Sequence, residues 1–500
     1  MNEFELKFEI PAKSLARVAA AVLEGKASRQ SLQASYFDTP EGALAKNAIV
    51  VRVRKEGRRW VQTAKGPTSA LLERLEHNVD LKSPAGGGSP QVDLLLHAGT
   101  PVGFAILEAL NLKEGDAMPA LVKLYETKVQ RMTRITTHAG SLLEIALDQG
   151  RIVSGSRSMA LSELEIELKK GRAEDVLDLA RQWCADYGLW ISSISKSMKG
   201  QRLRKNSAFG PAVSAVLPEF DHHASGWQTF TAALQSCLNQ ILPNASELAG
   251  GSRNPEHIHQ LRIGIRRLRT AMRELQTLAG HIDAAWEAPM VSAFRELGRH
   301  RDDSHLASSQ QPQIEAAGGP SLDLAANATD ISDPGEVVRA PAFQDALLSL
   351  IGLAHGAEPQ RDNSTDSGVT HKKAKKMLCG QLGKLHKKIL KDGKRFLQLE
   401  ESRQHDVRKR LKRLRYLAEF AAPLFSARKT KRFVSSLKSP QTALGLYNDE
   451  IMALQAYRKL ANAAPEAWFG VGWLSARRLP NAHLCLDEIK AFSKVRPFWE

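Results

Sequence analysis

Apolar and polar residues alternate with a period of two through most of the first 200 positions, and after about residue 222 they recur every three to four. The first half therefore reads as strands and the second as helices. The opening run Glu3-Phe4-Glu5-Leu6-Lys7 puts Glu3, Glu5 and Lys7 on one side of a strand and Phe4, Leu6 and Phe8 on the other. A helix is expected over 11–24, opened by Pro11 and closed by Gly25, and a strand over 33–37. A hairpin follows, 49–55 with 60–65, turning at Glu56-Gly57. Further strands are expected over 71–79, 121–136, 141–147 and 160–169, with Asp148-Gln149-Gly150 as a turn, and an amphipathic helix over 174–187.

The polar strand faces have an unusual chemistry, being charged rather than hydroxylic or amidic. Arg52 and Arg54 share a face, as do Lys65 with Thr63, Arg74 with Glu76, and Glu163 with Glu165, Glu167 and Lys169; Arg131 and Glu144 lie on the remaining strands. Either an open sheet turns these groups to water, or an antiparallel barrel encloses them, since a charged lumen requires this alternation in every strand. Carboxylates and cations on a dry, unpaired face would be costly, so the second arrangement implies a wet cavity holding a metal and an anion.

Beyond a stretch relaxed into Ala, Pro, Gly and Ser (204–222), helices are expected at 227–242, 257–278, 286–299, 341–353, 371–401, 404–423, 429–438, 441–464 and 466–476. An internal repeat organises them. His259, Arg262, Arg266 and Arg269 return as His405, Arg408, Lys412 and Arg415, each offset by 146 residues, and each set forms one helical stripe. The two ridges are read as uncompensated by acids one turn on, so that an anion, either chained phosphates or nucleic acid, would satisfy them. The histidines are read as phosphate donors or core hydrogen-bonders rather than metal ligands. The segment 307–340, rich in Gln, Ala, Gly, Pro, Asp and Ser, reads as a disordered insertion.

At 500 residues several domains are expected, and the formal charge of +16 favours a polyanionic partner. Residues 371–415 hold 17 Lys and Arg against 4 acids, a difference of 17 − 4 = +13. Four scattered cysteines without metal-ligand spacing, no signal-like N-terminus and no apolar run of spanning length point to a cytoplasmic protein with reduced thiols and no membrane partner. No base-reading module or aromatic stacking platform is evident, so nucleic acid is not the expected partner. No Ser or Cys nucleophile constellation and no Walker-type loop occurs.

The Glu3-x-Glu5-x-Lys7 run, followed in order by Arg52-Val53-Arg54, Thr63-Ala64-Lys65, Arg74-Leu75-Glu76, Arg131, the 144–150 segment and the 163–169 strand, resembles the CYTH superfamily, or triphosphate tunnel metalloenzymes, over residues 1–203. Residues 223–500 are similar to the CHAD, or conserved-histidine α-helical, domain, with repeat halves at about 223–306 and 341–500. The tandem resembles bacterial CYTH-CHAD inorganic triphosphatases. This resemblance implies an α+β multidomain protein: an eight-stranded antiparallel β-barrel (tunnel) with helices, then an all-α domain that binds inorganic polyphosphate, in the cytoplasm and at polyphosphate granules. It implies metal-dependent hydrolysis of inorganic triphosphate to pyrophosphate and orthophosphate, using Mg²⁺ or Mn²⁺. Glu3 and Glu5 match metal-associated glutamates, with Glu163, Glu165 or Glu167 completing that set and Glu76, Glu144 or Asp148 near a second, activating ion. Lys7, Arg52, Arg54, Lys65 and Arg131 match phosphate contacts, Arg74 and Glu76 lie on the following strand, and Lys196 matches a lysine on a short helix at one tunnel mouth. The alternatives are an adenylate cyclase or thiamine triphosphatase on the same scaffold, or a non-catalytic, granule-associated polyphosphate binder.

Overall fold

The computed structural model describes residues 4–68, 74–84, 88–280, 282–322, 332–356 and 368–500, without the side chains of 301–305. Glu3 lies outside the described residues, as does much of the expected insertion. The chain divides into two compact units, 1–213 with 242–252 and 338–356, and 214–241 with 253–337 and 357–500.

The first unit is built on nine strands: β1 (Glu5–Glu9), β2 (Ala27–Asp38), β3 (Val50–Glu56), β4 (Arg59–Pro67), β5 (Arg74–Leu81), β6 (Val122–His138), β7 (Ser141–Ser154), β8 (Arg157–Lys170) and β9 (Trp190–Ile191). They form one sheet in the order β5-β4-β3-β2-β6-β7-β8-β1-β9, and every pairing is antiparallel. The expected eight-stranded closed barrel is therefore incorrect. Closure would join β5 to β1, but the free side of β1 is taken by β9, through Phe8 opposite Ile191 and Glu9 opposite Trp190. The sheet is open, with β5 and β9 at its edges.

Five helices accompany the strands: α1 (Leu15–Val22), α2 (Ala43–Lys46), α3 (Pro101–Leu110), α4 (Ala173–Tyr187) and α5 (Lys196–Lys205). The inward apolar residues of β1 and β8 (Leu6, Phe8, Leu164 and Ile166) are fully buried. Each contributes roughly 1.5–3 kcal/mol relative to exposure. α1 and α4 pack on β6–β8, as does α5. α5 is seated closely: Gly200 lies so near the Tyr125 ring that an added Cβ would come within 2.2 Å of it, and Tyr125 Oη donates to the Ser197 carbonyl at 3.0 Å. Tyr125 stacks in turn on Tyr36, with centroids 4.7 Å apart.

The remaining helices are α6 (Gly226–Ala249), α7 (Pro255–Ala279), α8 (Glu287–His305), α9 (Gln311–Ala316), α10 (Pro334–Arg339), α11 (Pro341–His355), α12 (His371–Gly393), α13 (Glu401–Ala421), α14 (Ala427–Ser436), α15 (Lys438–Leu460) and α16 (Trp468–Ser493). α9 and α10 fall inside the stretch read as a disordered insertion. In the second unit α7 pairs with α8, α12 with α13 and α15 with α16. Tyr457 anchors the α15–α16 core with Leu454, Val471 and Leu474. Arg267 on α7 is fully buried and has no acid partner among the described residues. Its guanidinium donates to Ser236 Oγ at 2.9 Å, to Gln240 Oε1 at 3.2 Å and to the Val216 carbonyl at 3.3 Å, and it lies over the Phe420 ring. Among the described residues no helix is long and apolar enough to cross a membrane.

Candidate metal centre and anion sites

Register carries the charged positions of separate strands onto one sheet face. Glu5, Lys7 and Glu9 on β1 stand opposite Glu167, Glu165 and Glu163 on β8. Those in turn stand opposite Glu144, Ala146 and Asp148 on β7, and Asp148 faces Arg131 on β6. Further along the same face Tyr36 is opposite Arg52, Arg52 opposite Thr63, and Lys65 opposite Glu76. Antiparallel pairs keep both partners on the same face, so the strict alternation in each strand suffices to assemble the group.

Asp148, Glu163 and Glu165 each bring a carboxylate oxygen within 4.8 Å of the others. The Asp148-Gln149-Gly150 composition predicts a turn at Asp148. β7 instead runs through it to Ser154, with Asp148 held at mid-strand between Arg131 and Glu163. Three acids this close repel, and cations from β6 and α5 offset that repulsion. Arg131 is bidentate to Asp148, both bonds at 2.7 Å, and reaches Glu165 at 2.5 Å. Lys196 lies 2.8 Å from Asp148 and 2.8 Å from Glu165, and also pairs with Glu163. Lys199, one turn further along α5, bonds Glu163 at 3.0 Å and Glu9 at 2.6 Å. One compact cation contacting three carboxylates is the environment a hard divalent ion requires. The all-oxygen donor set thus fits a divalent metal, and the Lys196 ammonium stands in for its charge.

Burial raises the pKa of Glu163, but Lys196, Lys7 and Lys199 outweigh it and hold the carboxyl at about 2. Glu165 is likewise held well below the usual range, because Lys196 and Arg131 overcome its burial. Burial alone would lower Lys196, yet Glu163, Glu165 and Asp148 keep its pKa well above normal. Lys7 goes the other way, lowered chiefly by burial, and donates to the Ile194 carbonyl. Glu5 is pushed up to about 7 by the neighbouring Glu165 charge and by burial. Its protonated form stabilises the metal-free fold below the unfolded value of about 4.3, and that contribution is lost as pH rises through 7. Glu5→Gln is therefore expected to stabilise the metal-free chain at pH 8 by about 1–3 kcal/mol. Urea unfolding in a chelator, with the two chains converging below pH ~4, checks the sign.

The other expected site residues fall into separate pairs. Glu144 and Glu167 share Lys169, at 3.6 and 2.7 Å. Glu76 pairs with Lys65, and Arg54 with Glu56. Arg74 is exposed at the start of β5. Lys199 and Glu9 were missed, although Lys199 lies three residues after Lys196 and so shares its helix face.

In the second unit a pocket of about 1350 Å³ is lined by Arg262, Arg266 and Arg269 of α7 and by His405, Arg408 and Lys412 of α13. His259 and Arg415 of the expected ridges do not line it. Arg415 instead bonds Glu419 at 2.7 Å, one turn on, which corrects the reading of that ridge as uncompensated. Arg273, Lys409 and Arg413 line the pocket and were not anticipated. His405 Nδ1 lies 2.5 Å from Asn448 Oδ1, and burial lowers its pKa. Phe294 of α8 lies under both Arg262 and Arg266, 4.7 and 5.3 Å from its centroid. Gly298, one turn on, leaves room for the Arg262 guanidinium, which a Cβ there would approach to 3.1 Å.

These features define two classes of site, an acid cluster bordered by cations on an antiparallel sheet and a cationic pocket between helices. Comparison with known proteins agrees with that division. Residues 1–200 match the CYTH domain and residues 232–458 the CHAD domain, which supports a CYTH domain fused to a CHAD domain. An inorganic triphosphatase of Haemophilus influenzae is 28% identical over 172 residues, 34% of this chain and 45% of that protein, so the chain matches less than half of that relative's length. An uncharacterized protein of Mycobacterium tuberculosis is 24% identical over 98% of this chain and 95% of its own. The crystal structure of a CHAD domain from the plant Ricinus communis is 25% identical, covering 57% of this chain and 98% of its own, with a TM-score of 0.46.

Proposed function

We propose that the first unit hydrolyses inorganic triphosphate to pyrophosphate and orthophosphate with Mg²⁺ or Mn²⁺, as a triphosphate-processing metalloenzyme, and that the pocket of the second unit binds inorganic polyphosphate. The observation that carries the reading is the Asp148, Glu163 and Glu165 cluster, with Arg131 on it and Arg52, Arg54 and Lys65 further along the same face. The match to an inorganic triphosphatase adds support. In this reading Asp148, Glu163 and Glu165, with Glu5 beside them, hold the ion, which when bound supplies Lewis-acid charge against phosphate oxygens. Arg52, Arg54 and Arg131 bind phosphate oxygens, with forked donors that match their geometry, while Lys7 and Lys65 act as point charges. These cations also stabilise the charge that grows on the departing pyrophosphate. Release of orthophosphate from triphosphate, from ATP and from long-chain polyphosphate, with each metal and with chelator, tests it. No chelator-sensitive release from triphosphate sinks the reading.

Lys196 favours a second reading. Its ammonium already contacts all three acids and, with Arg131 and Lys199, offsets their charge, as expected of a non-catalytic polyphosphate binder whose acid cluster serves only structure. That chain would bind polyphosphate without turning over any triphosphate.

Phe294 holds two of the pocket's guanidinium groups in one orientation. Phe294→Leu is expected to weaken polyphosphate binding about five- to thirty-fold, from two cation–π contacts of roughly 0.5–1 kcal/mol each. Titration with fluorescent polyphosphate measures it, and unchanged affinity would remove Phe294 from the site.

A further inference from the structure

The helical pocket has two unlike walls. α7 and α13 supply most of the cations, while α15, which also brings Asp449 and Lys459 to the lining, turns Met452, Ala456 and Leu460 toward the cavity, at a spacing of four residues that aligns them along one helix face. Ile282 and Leu306 add apolar surface from other parts of the lining. Met452 is 49% exposed, the largest apolar group of the wall left to solvent. An inorganic polyphosphate chain has no apolar surface and gains nothing from this wall. Nor does its recognition need a cavity of about 1350 Å³, larger than most small-molecule sites.

We propose that this pocket takes nucleoside polyphosphates, with the phosphates on the cations of α7 and α13 and the base on the Met452–Ala456–Leu460 stripe. The inference rests on the pocket being an anion site and adds to it the class of ligand. The three side chains rise about 6 Å per step, about 12 Å in all, which is room for a flat adenine ring over part of the stripe and its ribose over the rest. The amide side chains of Asn448 and Gln455, on the same helix, border the stripe. Asn448 Oδ1 is engaged by His405 and Gln455 Nε2 by Glu401, so the Asn448 Nδ2 and Gln455 Oε1 ends are the ones that favour a ligand whose body carries hydrogen-bonding edges over a plain acyl chain.

Charge alone predicts the opposite preference, because tripolyphosphate carries at least as many negative charges as ATP. Competition of ATP and tripolyphosphate against fluorescent polyphosphate, on the full chain in chelator so that nothing is hydrolysed, separates the two. Binding that survives Arg262→Ala with Arg408→Ala belongs elsewhere and is subtracted. The expected result is ATP binding about five-fold more tightly than tripolyphosphate, from the apolar area the base covers. Met452→Ser with Leu460→Ser abolishes that advantage and leaves tripolyphosphate unchanged. Met452→Ser alone, at a half-exposed position, reduces it about two-fold and keeps the test decisive if the double variant does not fold. Tripolyphosphate binding as tightly as ATP, or equal losses for both in the serine variants, overturns the inference while the anion site stands. If no ligand responds to Arg262 and Arg408, the anion site itself is wrong.

Discussion

Glu165→Gln is expected to lower metal-dependent release of orthophosphate from triphosphate by at least about 1000-fold, a loss of roughly 4 kcal/mol in transition-state stabilisation. The substitution keeps the shape and removes one charge. That charge is shared: Glu165 sits 2.5 Å from Arg131 and 2.8 Å from Lys196, and it raises the pKa of Glu5. With glutamine there, the three-carboxylate donor set becomes two, and the site loses affinity for a hard divalent ion, which binds through anionic oxygens. Arg131, still paired with Asp148, and Lys196, still paired with Asp148 and Glu163, each lose one carboxylate, which biases the site toward binding anion without metal. Raised metal demand, with a higher concentration needed for half-activation, should therefore accompany the slower turnover. A purely structural role for Glu165 predicts lowered stability with turnover per folded molecule unchanged. Urea unfolding alongside the kinetics distinguishes these, and wild-type turnover at wild-type metal demand would refute the assignment.

The extent to which this site was legible depends on what each feature rests upon. Period-two alternation is local, so Glu5 with Lys7, Arg52 with Arg54, and Glu163 with Glu165 share a face within each strand before any pairing is known, and only register brings those faces together. The order of strands is not local. Whether the free edge of the first strand meets β5 or is taken by a two-residue partner, Trp190–Ile191, depends on a segment too short to carry a pattern, and closure is wrongly expected for that reason. Asp148-Gln149-Gly150 has the composition of a turn, yet long neighbours on both sides carry β7 straight through it, a case of tertiary pairing overriding local propensity. Glu419 lies four residues after Arg415, outside the 146-residue repeat that relates the cations, so the pattern of the repeat does not contain it. Phe294 had no signal at all: an aromatic at helical spacing looks like core until the arginines that rest on it are seen.

The internal repeat also explains why the second unit should lose polyphosphate when both halves are touched at once. Arg262 and Arg408, equivalent by the 146-residue offset, line the same pocket from α7 and α13. Arg262→Ala with Arg408→Ala is expected to weaken polyphosphate binding about 100-fold or more at moderate salt, each lost charge-assisted contact counting for roughly 1.5–3 kcal/mol. Because binding a polyanion releases counterions, the double variant should also show a shallower dependence on salt, by roughly two ion equivalents. Arg262 is largely buried against Phe294 and Gly298, so alanine there also leaves a gap. Arg262→Lys with Arg408→Lys controls for this by keeping the charge while losing the planar fork. Intermediate affinity with an unchanged salt slope in the lysine pair points to forked recognition in the pocket. If the alanine pair binds as the parent does, polyphosphate is held on another surface, and the exposed lysines of α12 (372, 373, 376, 384, 387, 388 and 391) are the first alternative to examine.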